Sequence, residues 1–280
     1  MLNVQFPLYD GKLDFHRYYN IHYKYILGIL GDAKCAVKMV QQTDFKNYTR
    51  TAFELIIDGK LVAIDFSDFE KLSIPRDLIP KYKAIFKFHY DAGQHGHYKN
   101  IYPFSPVSFQ NWDIYKDVIN KIQYKAKGLI TCKQKPGGAA VERRNNVQAL
   151  LEKKYKNNFD KKIQHERDFY LNINNTLVAV CVPGARNNML DRGQGQYMAL
   201  GCCTISPCLP TTLSYNKLLI QGQHYVVCKN DYSDLIEKID WVSKNKEEAI
   251  QIGKNAKALF EETSLPVKQV EWIKICLGND

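Results

Sequence analysis

The segment TLVAVCVPGARNNMLDRGQGQYMALGCCTISP, from Thr176 to Pro207, decides the fold class of this chain. It begins with an apolar run that a Pro-Gly turn ends, and a helical pattern with one apolar face follows Asp191-Arg192-Gly193. Gly201 ends this helix, and Cys202–Ile205 forms a second apolar run. A strand, a polar loop, a helix and a strand in this order predict a parallel sheet, because parallel strands need a crossover connection.

The polar loop of this unit has the composition of a phosphate site. In an open parallel sheet, ligands bind beyond the carboxyl ends of the strands, where helix N-termini offer free N–H groups. The loop places Arg186 and Arg192 in this position, beside Gly184, Gly193 and Gly195. Two guanidiniums and backbone donors at a helix start predict a site for a phosphate or diphosphate.

Composition limits the class of protein. A chain of 280 residues with 45% hydrophobic residues can fold as two medium domains or one large domain without disulfide or metal cross-links. The net charge of +10 favours polyanionic partners, phosphorylated ligands or simple solubility, and does not separate them. The lysine-rich stretch from Lys153 to Lys162 is typical of a solvated surface, and no nucleic-acid motif accompanies it. We expect no nucleic-acid partner.

The cysteines and termini indicate a reduced, soluble, cytoplasmic protein. Four of the eight cysteines, Cys35, Cys132, Cys181 and Cys228, lie inside apolar runs, where free cysteine behaves as a small hydrophobe. The chain has no CxxC pair, no signal-peptide pattern at its start and no apolar run of bilayer length. We therefore expect no stable membrane insertion.

Element patterns elsewhere predict two αβ halves. We place the boundary in the polar, basic stretch Asn111–Ala126, giving an N-terminal domain of residues 1–124, a C-terminal domain of residues 125–262 and a terminal helical segment, 263–280. The predicted N-terminal strands are Leu2–Leu8, Lys34–Val40 and Ala84–Tyr90, with an edge or irregular strand in Ile101–Phe109. A helix is predicted from Phe15 to Gly31, and a hairpin is predicted from Phe53–Ile57 and Leu61–Phe66, whose Asp58-Gly59 loop has two or more residues. The predicted C-terminal elements are strands at Gly128–Cys132, Leu218–Ile220 and Tyr225–Cys228, and helices at Ala139–Tyr155, Asp231–Ser243, Lys246–Glu262 and Val267–Leu277.

Several short motifs from Val182 onward occur in the order of a known family. They are Pro183-Gly184, Asp191-Arg192-Gly193, Ala199-Leu200-Gly201-Cys202, His224-Tyr225-Val226-Val227, Asn230–Leu235 and Ile239-Asp240-Trp241, followed by a helix with Gly253, Ala256 and Phe260. This part of the chain resembles the C-terminal domain of GT-B glycosyltransferases, in the lipopolysaccharide-modifying, protein-O-glucosyltransferase-like and exostosin-like group. Length and tyrosine content also resemble the small glycosyltransferases of large chlorella viruses, in particular those that add xylose to a capsid glycan.

The resemblance implies two Rossmann-like domains facing across a cleft. The C-terminal domain would bind a UDP-sugar, and the N-terminal domain would bind an acceptor sugar, such as fucose, of a viral capsid N-glycan in the host cytoplasm. Arg192 would pair with the diphosphate, His224 and Tyr225 would frame the nucleoside, and the loop before Asp231 and Tyr232 would close on the donor. The exostosin-like relatives have a glutamate where Gln194 or Gln196 stands here, so an amide would contact the ribose.

Glycosyl transfer with inversion needs positive charge to stabilise the leaving diphosphate and a base for the acceptor hydroxyl. No Asp-x-Asp motif is present, so we expect no metal cofactor and assign the leaving group to arginines. Arg143 and Arg144, near a helix start, join Arg186 and Arg192 in this prediction, although the first two residues are equally compatible with a solvated helix face.

The base is expected in a loop after a strand. Asp14 and His16 are the best placed, although Asp14 is equally compatible with a helix N-cap. Asp68 is the next catalytic candidate and Asp91 follows; both are also compatible with turn residues. We assign His89 and Asp91 to the acceptor. His89, His95 and His97 also suit a metal site, but a Gly/His loop without a fourth ligand fits better.

The sequence therefore predicts a metal-independent, inverting glycosyltransferase. Two alternatives stay open. One is a phosphate- or nucleic-acid-binding module, supported by basic charge and arginines at helix starts. The other is a retaining transferase on the same fold.

Overall fold

The computed structural model describes residues 1–8, 17–41, 45, 47–48, 51–67, 71–105, 112–184 and 186–278. It is a mixed α/β protein with parallel strand pairs, which confirms the predicted class. The chain divides into two compact units. The first unit comprises Met1–Gln110, Thr211–Lys217 and Thr263–Asp280, and the second comprises Asn111–Pro210 and Leu218–Glu262. The segment 111–124, which the sequence analysis placed in the N-terminal domain, therefore groups with the second unit.

The first unit contains a mixed sheet. Its strands in the described residues are β1 (Asn3–Pro7), β2 (Ala36–Val40), β3 (Asn47–Tyr48), β4 (Ala52–Ile57), β5 (Lys60–Asp65), β6 (Ala84–Lys87) and β7 (Ile101–Pro103). Their order is β2-β1-β4-β5-β6-β7, and β3 pairs with β4. β1–β2, β5–β6 and β6–β7 are parallel, whereas β1–β4 and β4–β5 are antiparallel. The proline-containing strand β7 lies at the edge, as predicted.

The β4–β5 hairpin has the shortest loop that the sequence allowed. Ile57 pairs with Lys60, so Asp58 and Gly59 alone form the turn. Their φ angles are 48° and 74°, and two positive φ angles suit the twist of the flanking strands.

Helices and aromatic side chains complete the first unit. Its helices are α1 (Arg17–Asp32), α2 (Ala92–His95) and α9 (Pro266–Leu277). Helix α1 packs against α9. Phe6 contacts Tyr23 and Phe53 ring to ring, and the Tyr23 hydroxyl donates to the Pro7 carbonyl at 2.8 Å. Tyr23 and Tyr25 are buried, so these two tyrosines belong to the core.

The second unit is built on a wholly parallel sheet. Its strands are β8 (Leu129–Thr131), β9 (Phe159–Asp160), β10 (Thr176–Val180), β11 (Thr204–Ser206) and β14 (Val226–Val227). They lie in the order β14-β11-β10-β8-β9. Ala179 pairs with Thr204 and Val180 with Ile205 in parallel register, which confirms the predicted strand–helix–strand unit. Short strands β12 (Thr212–Leu213) and β13 (Lys217–Leu218) precede β14 in the chain.

Six helices among the described residues belong wholly or mainly to the second unit. They are α3 (Trp112–Ile119), α4 (Val141–Tyr155), α5 (Glu166–Leu171), α6 (Arg192–Ala199), α7 (Leu235–Lys244) and α8 (Lys246–Thr263). The connections β8–β9 and β10–β11 run in opposite directions from the centre of the sheet, so the rule that crossovers are right-handed predicts α4 and α6 on opposite faces. Helix α3 was not predicted, because its basic residues hid the apolar face formed by Trp112, Tyr115 and Val118.

Of the four cysteines that the sequence placed in apolar runs, Cys132, Cys181 and Cys228 are buried, whereas Cys35 is only partly buried. Cysteines 132, 181, 202, 203, 228 and 276 are free and buried. No helix in the described ranges has both the length and the apolar character that a bilayer span requires.

Candidate functional site

The strand order of the second sheet identifies its ligand-binding edge. From β8 the chain moves outward to β9, whereas from β10 it moves in the opposite direction to β11. The crevice between β8 and β10 is therefore a topological switch point, where loops leave the carboxyl ends of two neighbouring strands in opposite directions. The loop after β8 carries Lys133 and Gln134, and the loop after β10 carries the predicted Gly184 and Arg186.

Gln134, Arg144 and Asp191 connect the two loops at this crevice. The Gln134 amide accepts from the Val182 N–H at 2.5 Å and donates to Asp191 Oδ1 at 2.9 Å. Arg144 pairs with Asp191 Oδ2 at 3.0 Å and donates to the carbonyls of Val182, at 3.0 Å, and Lys135, at 2.9 Å. Arg144 thus has protein partners of its own and is not on a solvated helix face.

Asp191 also begins helix α6. Its Oδ1 accepts from the Gly193 N–H at 2.8 Å, as an N-cap residue does. Arg192 is the first residue of the helix and its side chain is exposed. Its guanidinium makes no hydrogen bond or ion pair with any residue that the structure describes, so its charge is available at the helix start.

Gln194, two residues after Arg192 in α6, is fully buried. Its Nε2 donates to Ser206 Oγ at 3.0 Å and to Thr204 Oγ1 at 3.3 Å. Its Oε1 is buried and has no hydrogen-bond partner. A buried carbonyl oxygen without a partner is unusual in a folded protein. Gln196 is instead half-buried and contacts the Tyr170 hydroxyl at 3.4 Å.

Arg143 braces the loop after β10. Its Nη2 donates to the carbonyls of Pro183 at 2.9 Å and Gly184 at 2.5 Å. Its Nε is buried without a hydrogen-bond partner. Like Arg144, Arg143 is held in place by hydrogen bonds to backbone carbonyls. Arg186 belongs to the loop after β10 and is exposed.

His224 and Tyr225 are buried supports of the loops near β14. His224 Nδ1 accepts from the Ile220 N–H at 3.0 Å, and burial lowers the pKa of its imidazole. The Tyr225 hydroxyl accepts from the Leu209 N–H at 2.9 Å, and burial raises its pKa to about 12. Both side chains are therefore neutral at pH 7.

Asp231 and Tyr232 lie before α7, not within it, which corrects the predicted start of this helix. Tyr232 has a φ of 60°, which is incompatible with a continuing α-helix, and α7 begins at Leu235. Asp231 Oδ1 accepts from the Ser233 N–H at 3.0 Å, and this bond lowers the carboxyl pKa. The turn is attached to the loop after β10 by Asn187, which accepts from the Tyr232 hydroxyl at 2.8 Å and donates to the Asn230 carbonyl at 2.7 Å.

The predicted residues of the first unit are only partly described. Asp14, His16 and Asp68 lie outside the described residues. His89 is partly buried, and its pKa is lowered to about 3 by burial, by the Lys87 ammonium and by His22. Asp91 is the N-cap of α2, where its carboxylate accepts from the Gln94 N–H at 3.0 Å.

Histidines near α2 have structural partners. His95 is buried, and its Nδ1 accepts from the Asp91 N–H at 3.0 Å. Among the described residues, no group of three or more His, Cys, Asp and Glu side chains is arranged to hold a metal ion. Metal independence of the protein stays a prediction.

Sequence reasoning missed a buried charge cluster at the ends of β5 and β6. Lys87 and Asp65 are both fully buried, with Lys87 Nζ 3.3 Å from Asp65 Oδ1. Lys87 also donates to the Ser67 carbonyl at 3.0 Å, and Asp65 Oδ2 accepts from the Ser73 N–H at 2.6 Å. The signal was a lysine inside the apolar run Ala84–Phe88, where an unpaired charge would be too costly.

Two residues after β8 were also missed. Lys133 is buried and pairs with Asp160 Oδ2 at 2.6 Å, and Gln134 holds the α6 N-cap as described above. Both follow directly after the strand that borders the switch point, so strand order, once known, would have indicated them.

No protein-family model matches the chain, and no curated protein sequence is significantly similar to it.

Proposed function

We propose that the protein is a GT-B-type glycosyltransferase that moves a sugar from a UDP-sugar to a hydroxyl group of a glycan. In this proposal the second unit binds the nucleotide and the first unit binds the acceptor. The transfer is inverting and metal-independent, and UDP-xylose is the first donor to test. The doubly wound second sheet and the motif order from Val182 onward both support this choice.

The exposed Arg192 at the switch-point crevice is the observation that carries the proposal. Arg192 is the first residue of α6, where its charge and the backbone N–H groups of the helix start together favour a diphosphate. Asp191, the neighbouring carboxylate, is paired with Arg144, so its negative charge is compensated and does not repel a phosphate. Because Gln134 and Arg144 hold the turn in place, the positive group needs little reorganisation as the leaving group gains charge.

We assign the unpaired Gln194 Oε1 to the nucleotide as a further contact, which requires that this buried atom become accessible when the nucleotide binds. A carbonyl oxygen accepts a hydrogen bond from a hydroxyl group, which suits the ribose of a nucleoside diphosphate. In this proposal His224 and Tyr225 do not carry charge toward the nucleotide, because both side chains are buried and neutral. They instead position the loops near β14.

In the first unit, Asp14, His16 and Asp68 remain the proposed catalytic residues. His89 has a pKa of about 3, so its imidazole is a weak base at neutral pH and acts as a neutral hydrogen-bonding group toward the acceptor. Asp91 is assigned to the acceptor with it.

A panel of nucleotide-sugars tests the proposal. The full chain is incubated with UDP-xylose, UDP-glucose, UDP-galactose and GDP-sugars, with and without fucosides as acceptors, and the product is identified by mass and by anomeric configuration. We expect one UDP-sugar to be consumed, with inversion, and turnover to survive a chelator. Asp14→Ala should abolish turnover and leave UDP binding intact, with Asp68→Ala as the comparison. Stabilisation by RNA or inorganic phosphate with no response to any nucleotide-sugar would favour the phosphate-binding alternative.

A further inference from the structure

A polar cleft lies in the second unit between the first half of α4 and the turn that precedes α7. Its volume is about 380 Å³, which lies within the range of small-molecule sites. The α4 side is formed by Glu142, Arg143 and Asn146, and the opposite side by Asn230, Asp231 and Tyr232.

One wall of the cleft is held in a strained, fixed shape. Tyr232 is 4% exposed and adopts a φ of 60°, a conformation that a bulky residue rarely takes. Its hydroxyl donates to Asn187, which in turn donates to the Asn230 carbonyl. Strain of this kind persists only where the surroundings impose it, and it concentrates at functional sites. The cleft is therefore preformed on this side.

The Arg143 guanidinium, on the other wall, has hydrogen-bonding capacity to spare. Its Nη2 binds two loop carbonyls, but its buried Nε has no partner. Arg143 as a whole is only partly buried and lines the cleft, so it supplies the cationic hydrogen-bond donor of this wall.

The charges of the lining argue against a phosphate as the ligand. Arg143 contributes one positive charge, whereas Glu142 and Asp231 contribute two negative charges. The cleft therefore has no excess of positive charge, which a phosphate requires. Its five flat polar side chains, two carboxylates, two amides and one guanidinium, together offer several donors and several acceptors.

A ligand that matches this lining must be uncharged and must carry hydroxyl groups in several directions, because each hydroxyl group both donates and accepts. It must also have an apolar face, since Val147 and Leu150 line the cleft beside the polar groups. A pyranose or furanose ring has both properties.

We propose that this cleft is a sugar-binding site in which Arg143, Asn146 and Asp231 contact the hydroxyl groups of a neutral glycan residue. The cleft does not include Arg192, so Arg143, Asp231 and Tyr232, which the sequence analysis assigned to the donor, are reassigned here to a separate site. The inference goes beyond the proposed function because it requires neither nucleotide binding nor transfer. A glycan held there would be bound to the second unit.

The test uses methyl xyloside, methyl glucoside and methyl mannoside as probes, titrated into the full chain and followed by saturation-transfer NMR and calorimetry. Uridine and inorganic phosphate are titrated in parallel. Asn146→Ala removes an exposed side chain of the cleft, so the fold should not suffer, and we expect it to weaken sugar binding about fivefold or more. Asn145→Ala is the matched control, because Asn145 is the same residue type, exposed on the same helix, and does not line the cleft.

Binding of a glycoside that Asn146→Ala weakens and Asn145→Ala spares supports the site. The proposal is overturned if no glycoside binds, if the two variants behave alike, or if uridine or phosphate binds in a manner sensitive to Asn146 while the glycosides do not. Glu142→Gln provides a second variant at the cleft and should also weaken the sugar. UDP is titrated separately into the wild-type protein and into Arg192→Ala. This second titration tests the proposed nucleotide site, so failure of the transferase proposal and failure of the sugar site can be told apart.

Discussion

Arg144 Nη2 lies 3.0 Å from Asp191 Oδ2, and this pair joins the first turn of α4 to the N-cap of α6. The two side chains are 12% and 18% exposed, so the pair is mostly shielded from water. Since α4 follows β8 and α6 follows β10, the contact holds together both sides of the switch point. The position of Arg192 depends on this contact through its neighbour, Asp191.

We expect Arg144→Met to destabilise the protein by about 2 to 4 kcal/mol, because Asp191 would remain shielded without its charge partner. Urea unfolding followed by circular dichroism measures the change. Arg167→Met is the control: Arg167 pairs with Asp117 at the surface, where both side chains are well exposed, and its loss should cost less than about 1 kcal/mol. Equal losses of stability in the two variants would show that the Arg144–Asp191 pair stabilises the protein no more than the exposed Arg167–Asp117 pair does.

Lys87→Met should be among the most destabilising single changes in the first unit, at about 3 to 5 kcal/mol, because it leaves Asp65 buried without a cation. The double variant Lys87→Met/Asp65→Asn removes both charges and should recover part of the loss. Chemical denaturation of four proteins, the wild type, Lys87→Met, Asp65→Asn and the double variant, provides a double-mutant cycle. If the double variant is as unstable as the sum of the two single variants, the charges are not coupled.

His89 gives the stability of the protein a pH dependence. Its pKa is about 3 in the folded protein and near 6.5 when unfolded, so only the unfolded chain gains a proton between these values. The His89 contribution is fully present above pH 6.5 and is lost as the pH falls toward 3, by roughly 2 kcal/mol at pH 5. His89→Asn, which tolerates the φ of 48°, should flatten the dependence measured by urea unfolding at pH 8 and pH 5. An unchanged slope in this variant would assign the dependence to other groups.

Gly253 in α8 allows the helix to approach Gly201 closely. A Cβ atom at Gly253 would lie 2.1 Å from the Gly201 carbonyl oxygen, so the backbone would have to move. We expect Gly253→Ala to destabilise the protein by about 1 to 3 kcal/mol in thermal or urea unfolding. Gly137→Ala is the control, since a Cβ atom there meets nothing within 4 Å. The close approach is not important for stability if both variants unfold alike.

The fold was predictable wherever local pattern and packing agree. The strand–helix–strand unit from Thr176 has continuous apolar runs and a glycine at 201 with a φ of 78°, so its parallel pairing follows from the sequence. The Asp58-Gly59 hairpin and the last two helices have equally clear signals. Helix α3 was missed because the lysines around it mask its apolar face, and α7 was started too early because nothing local announces the positive φ of Tyr232.

The candidate site was harder to predict because its residues act across the sequence. Arg143 and Arg144 were recognised as important, yet their partners, the Gly184 carbonyl and Asp191, lie about forty residues away and could not be named from spacing. Gln134 could not be identified from the sequence, because its position at the switch point follows only from the strand order. Lys87 could have been noticed as a charge in an apolar strand, but its partner, Asp65, lies on a neighbouring strand.

The most direct test of the account is calorimetric titration of UDP into the full chain and into Arg192→Ala. Arg76→Ala is the matched control, because Arg76 is an exposed arginine at the first residue of a 3₁₀ helix, Arg76–Lys81, in the first unit. The account predicts that Arg192→Ala weakens UDP about tenfold or more, as loss of a charge-assisted contact should, while Arg76→Ala binds like the wild-type protein and both variants fold normally. UDP binding that is unaffected by Arg192→Ala, or absent from the wild-type protein, would contradict it.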